Sequence, residues 1–293
     1  MGNTNIIETN NLTKYYGKNR GIEGLNLAVE QGDVFGFIGP NGAGKSTCIR
    51  TLLGLIFPTG GEARIFGLDI VADHDEILKH IGYLPSEINF YHGMKVSDAI
   101  RYSASLRKKD CSKRAAELMD RLSLDPNKKV DDLSLGNRKK VGILCAIQHD
   151  PELVILDEPT SGLDPLMQHE FFRILTEQNE RGATIFLSSH ILSEVQTYCR
   201  TAAFIKDGRV ILSDRVEKLE ETGAKKVVLR GEWHEDMMTR LEHVSDLSEE
   251  KGYASFLYSG DIHELLQVLA AENLRDVTIT EPTLEEIFMN YYA

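Results

Sequence analysis

Gly39-Pro-Asn-Gly-Ala-Gly-Lys-Ser-Thr47 fits the pattern G-x-x-x-x-G-K-[ST], and its flanks give the pattern physical meaning. Upstream, Val34-Phe-Gly-Phe-Ile-Gly39 is a short apolar run of the kind that forms a buried strand. Downstream, apolar residues at 49, 52, 53 and 56 have helical spacing and predict a helix over 46–56. A strand, a glycine-rich turn and a helix start together present a nest of backbone N–H groups over the positive end of a helix dipole, which binds polyphosphate. In that reading Gly39, Pro40, Asn41, Gly42, Ala43, Gly44 and Thr47 form the cradle. Lys45 reaches the terminal phosphates as a point charge, and the Ser46 hydroxyl is offered to Mg²⁺. The plain alternative is a glycine-rich turn ahead of an ordinary helix; the complete motif with both flanks in place argues against it.

Leu153-Val-Ile-Leu156 is a second buried-strand run, and it delivers two adjacent carboxylates, Asp157 and Glu158, ahead of Pro159. This is a Walker B arrangement: Asp157 to hold a metal, Glu158 to polarise an attacking water as general base. Taken alone, it could equally be a strand ending in a solvated acidic turn. Ser161-Gly-Leu-Asp164 follows, and Thr184-Ile-Phe-Leu-Ser-Ser-His190 is another apolar strand with a histidine at its end. Such a histidine is usually a loop residue, but after two candidate site strands the functional reading is the stronger. Between the acidic pair and the phosphate loop lies Asp132-Leu-Ser-Leu-Gly-Asn-Arg-Lys-Lys-Val-Gly-Ile-Leu-Cys-Ala-Ile147, a helix start followed by a helix with an apolar face. Ser134 and Gly136 at its N-terminus offer a second anion site, or simply a helix cap.

Over residues 5 to about 215 the chain resembles the nucleotide-binding subunit of an ATP-binding cassette (ABC) transporter, with every cassette motif in the family's order. Tyr16 in Lys14-Tyr-Tyr-Gly17 matches the aromatic that stacks on adenine, 39–47 match Walker A, 133–137 the signature, 153–158 Walker B, 161–164 the D-loop, and His190 the switch histidine. The resemblance implies ATP as substrate with Mg²⁺ held by Ser46 and Asp157. It makes Glu158 the base and places His190 on the γ-phosphate. Ser134, Gly136 and Asp164 would complete the site of a second cassette in a head-to-tail dimer. Leu135 and Asn137 stand where Gly and Gln are more common, a variant similar to that of bacterial drug- and peptide-export cassettes. Ser86, in Ile81-Gly-Tyr-Leu-Pro-Ser-Glu-Ile88, occupies the usual glutamine position of the Q-loop, and its short side chain leaves a metal contact to Glu87 or a water. Asn89-Phe-Tyr-His-Gly-Met94 lies where the family receives the membrane subunit, although core packing is an equal reading.

A chain of 293 residues has ample core for two domains, and 42% hydrophobic with 27% charged residues is ordinary for a globular protein. The net charge of −12 argues against nonspecific adhesion to nucleic acid or anionic lipid. Residues 220–293 hold 16 acidic and 6 basic side chains, so the rest of the chain is near neutral. No apolar run is long enough to cross a bilayer and no signal peptide opens the sequence. The expected location is therefore cytoplasmic, peripheral to the membrane through a separately encoded permease. Four cysteines, at 48, 111, 145 and 199, show no paired spacing and read as reduced thiols. Cys48, just past the phosphate loop, is an expected target for inhibitory thiol reagents.

The expected fold is α/β: a P-loop NTPase cassette over 1–220, built of a β-rich lobe, a RecA-like parallel-sheet core and a helical subdomain at about 96–147, followed by a small α+β domain over 221–293. The cassette should close with a hairpin turning at Asp207-Gly208. In the second domain, 226–230, 254–258 and 276–280 read as strands and 262–271 and 283–292 as helices. Its end, Pro-Thr-Leu-Glu-Glu-Ile-Phe288, resembles the tail of many bacterial export cassettes. The function that follows is an ATPase subunit driving a permease, with export favoured over import. The alternatives are a non-transport ABC ATPase, which usually carries two cassettes or a long coiled-coil insertion, and an ATP-binding sensor with weak hydrolysis.

Overall fold

The computed structural model describes residues 4–220, 224–234, 236–283 and 286–287. The chain divides into two compact units, Met1–Asp214 and Arg215–Ala293. In chain order the first unit opens with β1 (Asn5–Tyr16), β2 (Asn19–Glu30), β3 (Val34–Ile38), α1 (Lys45–Leu52), β4 (Gly60–Ile65) and β5 (Leu68–Asp69). It continues with α2 (His74–Lys79), β6 (Ile81–Leu84), α3 (Val96–Leu106), α4 (Ser112–Arg121) and, after a single 3₁₀ turn at Val130–Asp132, α5 (Leu135–Ile147). Then come β7 (Leu153–Asp157), α6 (Pro165–Glu180), β8 (Thr184–Ser189), α7 (Leu192–Tyr198), β9 (Thr201–Lys206) and β10 (Arg209–Arg215).

Two sheets build this unit. An antiparallel lobe has the order β2-β1-β4-β5, and a six-stranded sheet has the order β10-β9-β3-β8-β7-β6. In the second sheet β6 pairs with β7, β7 with β8, β8 with β3 and β3 with β9, all in parallel. The strands β7 and β8 are buried at every residue, as a parallel sheet covered on both faces requires. Phe35 and Phe186 stack across β3 and β8 with ring centroids 5.5 Å apart, tying the sheet into a core that also contains Ile49 and Leu52 of α1. Parallel strands bring their C-terminal ends to one edge, and there β3, β7 and β8 release the phosphate loop, the acidic pair and His190.

The helix after the phosphate loop is shorter than its apolar spacing predicts. It stops at Leu52 because Gly54 turns left-handed (φ 64°), and the N–H groups of Gly54 and Leu55 close back on the carbonyls of Thr51 and Arg50 at 3.0 and 2.9 Å. The expected turn at Asp207-Gly208 has φ of 50° and 73°, the left-handed pair that joins β9 to β10 in a two-residue hairpin.

The second unit comprises α8 (Val216–Glu220), β11 (Lys225–Glu232), α9 (Met237–Arg240), β12 (Val244–Glu250), β13 (Tyr253–Tyr258), α10 (Ile262–Ala270) and β14 (Asn273–Thr280). Its antiparallel sheet has the order β12-β13-β11-β14 and encloses a core of Val227, Leu229, Met237, Phe256, Leu265 and Leu269. The strands expected at 226–230, 254–258 and 276–280 are present, whereas α9 and β12 were not anticipated. Six of the seven β12 residues are exposed, so no alternation announces the strand; pairing with β13 alone creates it. The last expected helix lies largely outside the described residues. Its start shows a reciprocal cap: Glu286 N–H donates to Thr283 Oγ1 at 3.3 Å, and Thr283 N–H donates to the Glu286 carboxylate at 2.9 Å.

Candidate functional site

A cleft of about 480 Å³ lies over the start of α1, walled by Pro40, Asn41, Gly42, Gly44, Lys45, Ser46 and Thr47. Gly44 is left-handed (φ 110°), and a β-carbon there would sit 2.6 Å from the Gly21 carbonyl oxygen of β2. Only glycine lets the loop press this closely onto the lobe. Ala43 is buried; its N–H donates to the Pro40 carbonyl at 3.1 Å and its own carbonyl accepts Gly208 N–H at 2.9 Å, so the β9–β10 hairpin braces the loop from behind. Lys45 is only 5% exposed, with Nζ donating to the Gly39 carbonyl at 2.6 Å and the Pro40 carbonyl at 3.2 Å.

Glu158, the residue after β7, meets that lysine. Glu158 Oε1 is 3.3 Å from Lys45 Nζ, and His190 Nδ1 is 3.5 Å from the other oxygen of the same carboxylate. Glu158 has φ 49°, a left-handed backbone unusual for a residue with a long side chain, and this turns its carboxylate away from the strand axis into the cleft. Its N–H is held by the carbonyl and the hydroxyl of Ser188, both at 3.2 Å. The Ser188 hydroxyl donates in turn to Asp157 Oδ1 at 2.7 Å. Asp157 is fully buried, and its second oxygen, Oδ2, has no hydrogen-bond partner. His190 is delivered by a fixed turn: the Ser189 hydroxyl donates to Glu194 at 2.7 Å and accepts Ile191 N–H at 2.9 Å. Burial and the nearby Asp157 charge hold the Tyr83 phenol above its usual pKa, against the opposing pull of Arg50.

A buried carboxylate oxygen without a donor is costly unless a cation takes it. Asp157 Oδ2, next in sequence to the cleft-lining Glu158, and the Ser46 hydroxyl on the cleft wall are therefore oxygens suited to Mg²⁺. Among the described residues no group of three His, Cys, Asp or Glu side chains forms a metal cage. That suits magnesium at a phosphate, which takes one or two protein oxygens and completes its shell from phosphate and water.

Tyr16 lies on the cleft wall, 47% exposed, with Lys14 Nζ 5.4 Å from its ring centroid. Arg20 and Gly21, from the same hairpin, also line the cleft but carry no signal in the sequence. Ser86 and Glu87 face it too, as does Ser161. The signature and D-loop residues lie elsewhere. The Ser134 hydroxyl accepts Asn137 N–H at 3.3 Å and caps α5; Asp164 accepts Met167 N–H at 3.0 Å and caps α6. Gly136 packs so closely on the D-loop that a β-carbon would stand 2.4 Å from the Gly162 carbonyl oxygen. Ser134, Gly136 and Asp164 do not line the cleft of their own chain, and Leu135 and Leu166 beside them are 63% and 81% exposed.

One further expectation changes, and one open pair of readings is narrowed. Cys48 is fully buried, and desolvation pushes its thiol up to about 12, so it is not a reactive thiol. Tyr91 and His92 are exposed, and Tyr91 meets Tyr102 edge-on at 5.9 Å, so this part of the 89–94 cluster is surface rather than core.

A family model described as ABC transporter matches residues 22–161. The bacitracin transport ATP-binding protein BcrA of Bacillus licheniformis is 35% identical across 97% of this chain and 96% of its own. The chain belongs to the ABC transporter ATP-binding family. Among solved structures, the ATP-binding subunit of an ABC transporter superposes with a TM-score of 0.70 at 29% identity, covering 73% of this chain and 92% of that one. The dimeric, post-hydrolysis ATP-binding cassette MJ0796, bound to ADP and Pi, gives a TM-score of 0.65 at 25% identity over 72% of this chain and 98% of its own. The fold is that of a P-loop ABC cassette, and this ABC subunit hydrolyses ATP to power transport.

Proposed function

We propose that two copies of this ABC subunit close head-to-tail around two MgATP and drive a separately encoded membrane permease in the export direction. The observation that carries the reading is the Glu158 carboxylate, held between Lys45 at 3.3 Å and His190 at 3.5 Å and next in sequence to the buried, half-partnered Asp157. Tyr16 offers a face for the adenine ring, and Lys45 with the loop amides holds phosphate. Ser46 and Asp157 hold Mg²⁺, which when bound neutralises charge on the transferring phosphoryl group. Glu158 takes the proton of the attacking water, and His190 orients Glu158 and the terminal phosphate. Since Ser134, Gly136 and Asp164 stand away from their own cleft, they are free to meet a second chain's nucleotide.

No helix among the described residues is long and apolar enough to cross a membrane. The likeness to BcrA, a bacitracin transport ATP-binding protein, makes bacitracin the first cargo to test. Glu158→Gln removes the base while leaving the shape of the site, so turnover should fall by about three orders of magnitude or more. ATP should then accumulate in a dimer visible by size-exclusion chromatography; turnover at the wild-type rate would refute the base assignment.

A further inference from the structure

Lys139 lies on α5, one turn beyond the Ser134 cap, and is only 2% exposed. Its Nζ donates to the main-chain carbonyls of Ser86 at 3.0 Å and Pro85 at 3.5 Å. Three residues further along the same helix face, Gly142 packs against Ile88: a β-carbon there would stand 2.4 Å from Ile88 Cδ1. The helix that begins at the signature thus grips the 85–88 segment twice, once through a charge and once through apolar contact. Burial lowers the Lys139 pKa, and the carboxylates of Asp157 and Glu158 oppose that shift. A buried ammonium whose direct partners are two uncharged carbonyls is a poor way to fill space, since methionine would occupy the same volume without the desolvation cost.

We propose that Lys139 is a positioning residue for hydrolysis: it ties the signature helix to the 85–87 segment, so that Ser86 and Glu87 on the cleft wall move with Ser134 and Gly136. In this chain, where Ser86 is too short to reach far into the cleft, the tie makes that wall rigid from behind. A second cassette's nucleotide pressing on Ser134 and Gly136 then shifts Ser86 and Glu87 directly. The proposal rests on the assignment of Glu158 as base and of the cleft as the nucleotide site.

The test uses the full chain, with MgATP as the probe, in Lys139→Met and Lys139→Gln. Amide hydrogen exchange at 86–88, nucleotide Kd and steady-state kcat are measured for each. Lys139→Met, which fills the space and loses the donor, should lower kcat about tenfold or more with Kd changed less than about threefold. Exchange at 86–88 should accelerate in the same variant. Lys139→Gln keeps a donor and should fall between Lys139→Met and wild type; a purely space-filling role predicts the reverse order. Wild-type kcat and exchange in Lys139→Met, or Lys139→Met outperforming Lys139→Gln, would overturn the proposal. Should Lys139→Met not fold, Lys139→Gln decides through the same measurements: unaltered kcat and exchange overturn it. Glu158→Gln run in parallel separates the two failures. Normal turnover there removes the base assignment, while the exchange result still decides whether Lys139 ties the segment.

Discussion

His149 is a buried imidazole whose Nε2 lies 3.3 Å from the Ile81 carbonyl and whose Nδ1 has no partner. Burial, followed by the charge of Arg107, lowers its pKa from 6.5 to about 4 against the pull of that carbonyl. The folded chain therefore resists a proton that the unfolded chain accepts. Its contribution to stability is complete above about pH 6.5 and drains away as pH falls toward 4. Thermal melts at pH 7, 5.5 and 4.5 should show Tm falling across that window, with a shallower slope in His149→Gln. Cys48 obeys the same desolvation, and iodoacetamide at pH 8 should leave it unlabelled by mass spectrometry until the chain is unfolded. The sequence shows chemistry where partners are close in the chain: Lys45 and its glycines, or Asp157 beside Glu158. It hides Ser188 and Lys139, whose partners lie 31 and 53 residues away and come near only through the strand order. Proximity of Cys48 to the phosphate loop in sequence does not fix which way its side chain points, and α1 turns it into the core.

Among the elements, α5 shows how closely the signature and the D-loop are fitted. Gly136→Ala would put a methyl group 2.4 Å from the Gly162 carbonyl oxygen, and main chain cannot yield as a side-chain tip can. Overpacking of this kind costs about 1–3 kcal/mol, readable as a lowered urea midpoint, and ATPase activity should fall with it because Ser134 and the D-loop are displaced together. The start of α5 was legible from Ser134 ahead of a helical apolar pattern, as were the buried runs that became β3, β7 and β8. The end of α1 was overrun because residues 53 and 56 continue the apolar spacing while Gly54 breaks the helix between them. For β12 there was no pattern to read: Ser, Asp and Glu dominate an edge strand held only by its neighbour.

At the scale of the whole molecule, each unit encloses its own apolar core. Phe256 is 1% exposed inside the second unit. Phe256→Ala should destabilise that unit by about 3–5 kcal/mol. Amide exchange should rise across 225–280 while nucleotide affinity stays at the wild-type value; loss of nucleotide binding would mean that the two cores are not energetically separate. The existence of a second unit was legible in composition, since residues 220–293 carry most of the excess acid. Its strand order was not, because edge pairings leave no hydrophobic stripe.

The left-handed backbone of Glu158 has a consequence for the chain's history. Glycine or asparagine would rest more comfortably at that φ, so selection for stability alone would drift the position toward them. Each such step would remove the carboxylate between Lys45 and His190. A thermostabilisation campaign that ignores turnover should therefore rediscover this codon early, and, with Glu158 the proposed base, the hardiest clones it yields should no longer hydrolyse ATP.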